Sequence, residues 1–141
     1  MNLLKSNFLL AILSFTLLLA CDNEKECCTT FPDLIGPEWL SVNIKEGGNT
    51  TVAPHEAILT FGPENTYGLQ LDVNLCGGDI NLQQRTLQID FLNALCTEAC
   101  CDSDYAVRLR EFLIEADSYE LSTQDLIIVK GSDQARFTIK N

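Results

Sequence analysis

Cysteine is the residue type in this sequence that could do chemistry, because seven cysteines occur among 141 residues and their spacing restricts the roles they can take. A cysteine sulfur can carry a lipid, form a disulfide, bind a soft metal ion or exchange electrons. Zinc and redox sites favour the spacing Cys-x-x-Cys, whereas Cys96 and Cys100 have three residues between them and the single histidine, His55, is distant in sequence. Anchoring and structural roles are therefore favoured, with a metal site and a redox centre as the alternatives.

The first cysteine, Cys21, follows a hydrophobic segment that is typical of an export signal. Lys5 supplies a basic start, and residues 8–20 form an apolar run of 13 residues. A helix that spans a bilayer needs about 20 apolar residues, so this run is too short to be one. We therefore predict that residues 1–20 are a signal peptide rather than a buried core helix.

The apolar run closes with Leu18, Leu19, Ala20 and Cys21. This end resembles the lipobox of bacterial lipoproteins, in which an aliphatic residue, a tolerant position and a small residue precede an invariant cysteine. The resemblance implies a diacylglyceryl group on the Cys21 sulfur, cleavage before Cys21, and an acyl chain such as palmitate on the new amine. The alternative is an ordinary secretory signal that is cut near Ala20 and leaves Cys21 free or in a disulfide.

Residues 21–35 would then form a lipidated tether. One acyl chain holds a protein at a membrane only marginally, and two or three hold it firmly, at about 0.8 kcal/mol for each buried CH₂ group. The polar, mostly acidic residues 22–26 also resemble the export signal that sends some Gram-negative lipoproteins to the outer face. We therefore expect a lipid-anchored protein of the cell envelope, in the outer membrane, on its periplasmic face or at the cell surface.

The chain is strongly acidic, with 20 Asp and Glu against 9 Lys and Arg and a formal net charge of −11. Lys5 is the only charged residue among the first 20, so the mature chain has 8 bases, 20 acids and a net charge of −12. Such a charge repels nucleic acid and anionic lipid surfaces. We expect no nucleic-acid partner, and we expect the protein to reach the membrane through the lipid on Cys21.

An even number of cysteines remains when Cys21 carries lipid, which favours a disulfide framework in an exported domain. The six are Cys27, Cys28, Cys76, Cys96, Cys100 and Cys101. They allow 15 complete pairings, and excluding bonds between adjacent cysteines, which are strained, leaves about 10. We favour a bond between Cys76 and Cys96, with the two cysteines of the tether bridged to the adjacent pair at 100–101.

Period-two alternation of apolar and polar residues predicts strands in most of the mature chain, and it is clearest from Tyr67 to Leu75. Residues 47–54 are predicted to be a polar loop and residues 76–78 a tight turn. The predicted strands are residues 39–44, 57–61, 67–75, 79–82, 86–91, 119–121, 126–129 and 135–140.

Between residues 102 and 116 the apolar residues recur at the helical period instead of at every second position, which predicts an amphipathic helix with one apolar stripe. Asp102 or Ser103 would be the N-cap. The apolar stripe consists of Tyr105, Leu109, Phe112, Leu113 and Ala116. The fold class is therefore mainly β (α+β), an antiparallel, partly closed small barrel of about eight strands with this helix packed on it. Residues 36–141 would form the domain.

The order of features in residues 36–141 resembles that of the META (HslJ-like) domain family. The matching residues are Trp39, Leu59, Thr60, Phe61, Gly62, Gly68, Asn74, Leu75, Cys76, Gly77, Gly78, Cys96, Tyr119, Glu120, Leu126 and Phe137. The resemblance implies a small envelope protein linked to heat stress and novobiocin tolerance, with no established biochemical activity. Two departures are that Asn74 precedes Cys76 by two positions, and that Cys100 and Cys101 lie outside the family pattern.

Nothing in the sequence names a reaction, so we predict no catalytic, cofactor-binding or metal-binding residue. His55 is expected in an exposed loop, and no G-x-S-x-G motif accompanies it. Asp72, Asp79 and Asp90 could meet around a divalent cation but lack the spacing of a calcium loop. An enzyme, either a hydrolase or a thiol oxidoreductase, is the least favoured interpretation.

The favoured function is a non-enzymatic envelope lipoprotein that binds an unknown protein or small-molecule ligand in stress resistance. The alternative is a carrier that holds a small apolar ligand in the interior or mouth of the barrel. Packing of the interior distinguishes the two. An interior packed solid by Leu69, Leu71, Leu87, Ile89 and Phe112 would contradict the carrier.

Overall fold

In a computed structural model, the described part of the chain is residues 33–141. The predicted signal peptide, the lipid site at Cys21 and the tether cysteines Cys27 and Cys28 lie outside the described residues. The strands are β1 Trp39–Glu46, β2 Asn49–Val52, β3 Ile58–Gly62, β4 Thr66–Gln70, β5 Leu75–Gln83, β6 Gln88–Cys96, β7 Ser118–Leu121, β8 Asp125–Lys130 and β9 Asp133–Ile139, and the helix is α1 Asp104–Ile114.

The nine strands form one antiparallel sheet in the order β2-β1-β3-β4-β5-β6-β7-β8-β9. Because β9 also pairs with β1, the eight strands β1 and β3 to β9 form a ring. Strand β2 is not part of this ring and pairs with β1. The predicted class, an antiparallel and partly closed barrel with one helix, is confirmed. Two seams of the ring are short: β1 and β3 share two residue pairs, and β6 and β7 share the single pair Gln88 and Ser118.

The prediction of a polar loop at residues 47–54 was wrong, because β2 lies within it. Gly47 and Gly48 have φ angles of 55° and 85° and join β1 to β2, since Glu46 pairs with Asn49. A two-residue turn with positive φ at both positions matches the right-handed twist of a hairpin. All of β2 is exposed or half-buried, so it shows no alternation of apolar and polar residues.

The predicted strand from Tyr67 to Leu75 is also wrong in its second half, because β4 ends at Gln70. The Leu71 amide donates to the Asn74 carbonyl at 2.8 Å, which closes a tight turn. Leu71 is buried, whereas 58% of Leu75 is exposed. The alternation of residue types continues through the turn although the strand does not.

Residues 76–78 are not a turn but lie inside β5. A Cβ at Gly77 would lie 2.9 Å from the Tyr67 carbonyl oxygen, and one at Gly78 would lie 2.5 Å from the Leu92 carbonyl oxygen. These glycines therefore permit close approach of neighbouring backbones rather than a change of chain direction.

The interior of the ring is filled by large side chains from the strands and from α1. Of the five residues whose packing was to test the carrier hypothesis, four are buried, and Leu87 is the exception at 43% exposure. Its φ of 54° places it in the left-handed region, in the connection between β5 and β6. The largest fully buried side chains are Leu34, Trp39, Ile44, Leu59, Leu69, Ile89, Leu109, Phe112, Leu113, Leu126, Ile128 and Phe137.

Four of the five residues of the predicted stripe are buried in α1 together with Ala106, and the fifth, Ala116, is buried just after the helix ends at Ile114. Ser103 is the N-cap, and its hydroxyl accepts a hydrogen bond from the Ala106 amide at 3.2 Å. At the start of the helix, the Tyr105 hydroxyl lies 2.5 Å from the Ser41 hydroxyl of β1, so the helix is fixed to the sheet by packing and by a buried polar contact. Among residues 33–141, no helix is long and apolar enough to span a membrane.

Candidate functional site

A groove of about 570 Å³ lies between the end of β6 and α1. Both polar and apolar side chains line it, which is typical of sites that orient a ligand as well as bury it. The lining residues are Asn74, Ala94, Cys96, Thr97, Glu98, Ala99, Arg110, Glu111 and Ile114. We call this the β6–α1 groove.

The groove follows an edge of β6 that has no strand beside it among the described residues. One edge of β6 pairs with β5 along most of its length. On the other edge, pairing with the four-residue β7 ends at Gln88, where the Ile89 amide donates to the Asp117 carbonyl at 3.3 Å. Residues 90–96 therefore present a strand edge next to the helix, and we call this the free β6 edge.

A β-bulge interrupts this edge. Gly77 pairs with Leu95 and Asp79 pairs with Leu92, so β6 has one residue more than β5 in this interval. Asn93, at the bulge, has a φ of 49°. Bulges bend and twist a strand and are frequent at sheet edges and beside functional sites.

A disulfide between Cys76 and Cys96 fixes the end of β6 at the groove. The two residues are paired across β5 and β6 with Cα atoms 4.0 Å apart. This is the bond that we favoured from the sequence. For a sequence separation of 20, the loss of unfolded-chain entropy corresponds to a stabilisation of about 3.3 kcal/mol.

The side chain of Asn74 holds in place residues 97–99, which we call the floor of the groove. Its Nδ2 group donates to the Ala99 carbonyl at 2.8 Å and to Asp102 Oδ2 at 2.7 Å. Its Oδ1 atom accepts from the Ala99 amide and from the Thr97 hydroxyl, both at 2.9 Å. Since an amide side chain offers two N–H donors and two acceptor lone pairs, Asn74 is fully hydrogen-bonded.

Asp102 joins the same network from the residue before the helix N-cap. Its Oδ1 atom accepts from the backbone amides of Val73 and Asn74, each at 3.1 Å. Desolvation opposes ionisation of this carboxyl, but the hydrogen bonds from Asn74 and Val73 and the charge of Arg110 outweigh it and lower its pKa. Asp102 is therefore ionised at neutral pH.

Within the part of the chain that the structure describes, Arg110 is the one cationic side chain that lines the groove. The other cations near the helix are in ion pairs, since Arg108 contacts Glu46 at 2.6 Å and Lys130 contacts Glu115 at 2.7 Å. Arg110 forms no ion pair within residues 33–141. Its guanidinium can therefore contact a ligand.

Cys100 and Cys101 lie exposed in the connection between β6 and the helix N-cap, and neither is bonded to a cysteine among residues 33–141. Cys101 has a φ of 86°. The pKa of the Cys101 thiol is raised, mainly by a hydrogen bond with Cys100 and to a lesser extent by desolvation. The raised pKa disfavours the reactive thiolate. The disulfides predicted between these two cysteines and the tether cysteines involve residues outside the described part of the chain, so they stay predictions.

The other residues that we considered from the sequence are dispersed. His55 is exposed in the loop before β3, as predicted. Asp72 accepts a hydrogen bond from the Ser103 amide at 2.9 Å, whereas Asp79 and Asp90 are exposed on β5 and β6. In the part of the chain that the structure describes, no group of three or more His, Cys, Asp or Glu residues could hold a metal ion.

The groove was not predicted from the sequence. Asn74 lies in the predicted strand 67–75 and Arg110 and Glu111 lie in the predicted helix, and no binding role was assigned to any of them. The available signal was the short apolar segment at 119–121, which predicts a strand too short to cover the whole of β6.

Comparisons with known proteins show a shared fold. No protein-family model and no curated protein matches the chain. A protein from Burkholderia xenovorans, solved by NMR, is similar with a TM-score of 0.63 and 15% identity over 77% of this chain and 84% of that chain. A DUF4847 family protein from Bacteroides vulgatus ATCC 8482 is similar with a TM-score of 0.58 and 12% identity, over 75% of this chain and 94% of that chain.

Proposed function

We propose that this protein is a lipid-anchored protein of the cell envelope whose domain is a non-enzymatic binding module. The observation that carries the binding role is the free β6 edge beside the β6–α1 groove. The anchoring role is supported by the lipobox-like residues that end at Cys21. Two or three acyl chains would hold the protein firmly in the outer membrane, which its net charge would not favour by itself.

The position of the groove favours binding on the outside of the ring. Leu69, Leu71, Ile89 and Phe112 are at most 2% exposed and occupy the interior. An interior ligand would have to displace these side chains, and close-packed interiors resist such changes. The alternative function, a carrier of a small apolar ligand, therefore has less support than a module that binds at its surface.

The resemblance to the META domain family supports a role in envelope stress resistance. That proposal depends on the order of residues such as Trp39, Asn74 and Tyr119 along the chain. In the domain, Trp39 and Tyr119 are core residues and Asn74 supports the groove. These three of the residues that carry the resemblance therefore contribute to the core or to the groove.

Membrane fractionation of a Cys21→Ser variant tests the anchoring role. We expect the unchanged protein in the membrane fraction and Cys21→Ser in the soluble fraction, because serine has no sulfur to receive the diacylglyceryl group. Cys100→Ser is the matched control and should stay with the membrane. Membrane association of Cys21→Ser equal to that of the control would refute the anchor.

A further inference from the structure

We infer that the β6–α1 groove binds an extended, basic segment of a partner polypeptide, which adds to the sheet as a strand beside β6. The inference depends on the proposed binding function and names the chemistry of the partner. It is supported by the backbone of the free β6 edge, by the charges at the two ends of that edge and by the small apolar surface between them.

The backbone of the free β6 edge selects an extended polypeptide. An unpaired strand edge presents a row of N–H and C=O groups, and another extended chain is the ligand that matches this row. The edge spans residues 90–96. At about 3.3 Å per residue, these residues would accommodate a partner strand of about six or seven residues.

The charges along the edge select a basic segment. Glu98 and Glu111 line the β6–α1 groove together with Arg110. A second cavity of about 320 Å³ lies where β6 meets the residues after the helix, and Asp90 and Asp117 line it. Among the described residues, two acids and one base line the groove end and two acids line the other end, so both ends carry a net negative charge, which attracts cationic side chains and repels anionic ones.

The side chains in the groove are consistent with an alternating partner sequence. Ala94 and Ile114 supply a small apolar surface in the groove, and 45% of Ile114 is exposed. Successive side chains of a strand point to opposite faces. A partner strand can therefore place the apolar side chains of one face against this surface, and lysine side chains on its other face can reach the acids at the two ends of the edge through their flexible four-carbon stems.

The same charges disfavour a second copy of this chain as the partner. Isologous pairing of two free β6 edges would place the same surface on both sides of the interface. The acidic residues at 90, 98, 111 and 117 would then face one another. Like charges directly opposite each other are destabilising, so a partner of opposite charge is favoured.

A designed peptide provides the test. The probe is a fluorescent heptapeptide of alternating lysine and valine, and the sample is the full mature protein in detergent micelles. One control peptide has glutamate in place of lysine, and a second has N-methyl groups on alternate backbone amides. We expect binding by fluorescence anisotropy with a Kd on the order of 100 μM at low salt and slower amide exchange at residues 90–96. Neither control peptide should bind.

Charge-reversal variants locate the site without disturbing the sheet. Because Glu98 and Glu111 line the groove, we expect the double variant Glu98→Lys/Glu111→Lys to bind the lysine peptide at least about tenfold more weakly. Glu64→Lys is the matched control, since Glu64 is exposed in the turn between β3 and β4. It should change the Kd by less than about twofold, and Ala94→Pro, which removes a backbone donor from the edge, should weaken binding as the double variant does.

Several results would overturn the inference. These are no binding of the lysine peptide, equal binding of the N-methylated peptide, protection confined to residues outside 90–96, or self-association that protects residues 90–96 without peptide. Acylation is measured separately, so the two proposals fail independently. An unacylated protein that binds the peptide refutes only the anchor, and an acylated protein that does not bind it refutes only the partner.

Discussion

Replacing Asn74 by alanine removes the side chain that joins the turn at residues 71–74 to the connection between β6 and α1. Four hydrogen bonds disappear, two donated by Nδ2 and two accepted by Oδ1. Asn74 is only 9% exposed, so water replaces its side chain poorly. The substitution should therefore destabilise the folded state and loosen the floor of the β6–α1 groove.

The expected loss of stability is estimated from the types of hydrogen bond that Asn74 makes. Three of the bonds are between neutral groups, at about 1 kcal/mol each, and the bond to the Asp102 carboxylate contributes about 2 kcal/mol, so about 5 kcal/mol is an upper limit. Thr97 and Ala99 are exposed and can bind water after the substitution. We therefore expect Asn74→Ala to lower the free energy of unfolding by about 3 kcal/mol, which corresponds to about 12 °C in Tm.

Urea unfolding followed by far-UV circular dichroism measures this change. Asn81→Ala is the matched control, because Asn81 is exposed on β5, and it should change stability by less than about 0.5 kcal/mol. Amide exchange should increase at residues 97–103 in Asn74→Ala and not in the control. If the two variants had equal stability, the network around Asn74 would not support the fold, and the reasoning about the groove floor would be refuted.

Three further predictions concern the helix, its cap region and the bulge. Because the pKa of Asp102 is lowered in the folded state, the stability that its carboxylate contributes is present above the unfolded pKa and is lost as pH falls through the folded pKa. Asp102→Asn should therefore be less stable than the unchanged protein at pH 6, and urea unfolding at lower pH should show that difference shrinking. Phe112→Ala should cost about 3–5 kcal/mol by urea unfolding, whereas Ile114→Ala, on the exposed face of the same helix, should cost less than about 1 kcal/mol; equal costs would contradict the assigned packing. Gly78→Ala should cost at least about 2 kcal/mol and increase amide exchange at Asn93, because its Cβ would lie 2.6 Å from the Asn93 carbonyl oxygen; unchanged exchange would contradict the role of the glycine.

The helix and the fold class were predictable because their signals are local. The stripe at 3.6-residue spacing depends on residues within one turn of each other, and the Ser103 cap lies next to the helix it starts. Alternation likewise identified most strands. The break after Gln70 was not predictable, because it depends on Asp102, whose carboxylate binds the backbone amides of Val73 and Asn74 from about 28 residues away.

The groove was not predictable for the same physical reason. It exists because β7 is short, because β6 continues past it, and because α1 returns beside the free β6 edge. Each of these is a relation between distant segments. The bond between Cys76 and Cys96, which was the one favoured among the pairings that the sequence allowed, is present in the structure.

The intact mass of the exported protein, measured with and without reduction, tests the lipid anchor most directly. We expect a chain that begins at Cys21 and carries a diacylglyceryl group and an additional acyl chain. We also expect a gain of two hydrogen atoms on reduction for each disulfide, with the Cys76–Cys96 bond among them. An unmodified chain, or one whose first residue is not Cys21, would contradict the proposal that this domain is held at the membrane by lipid.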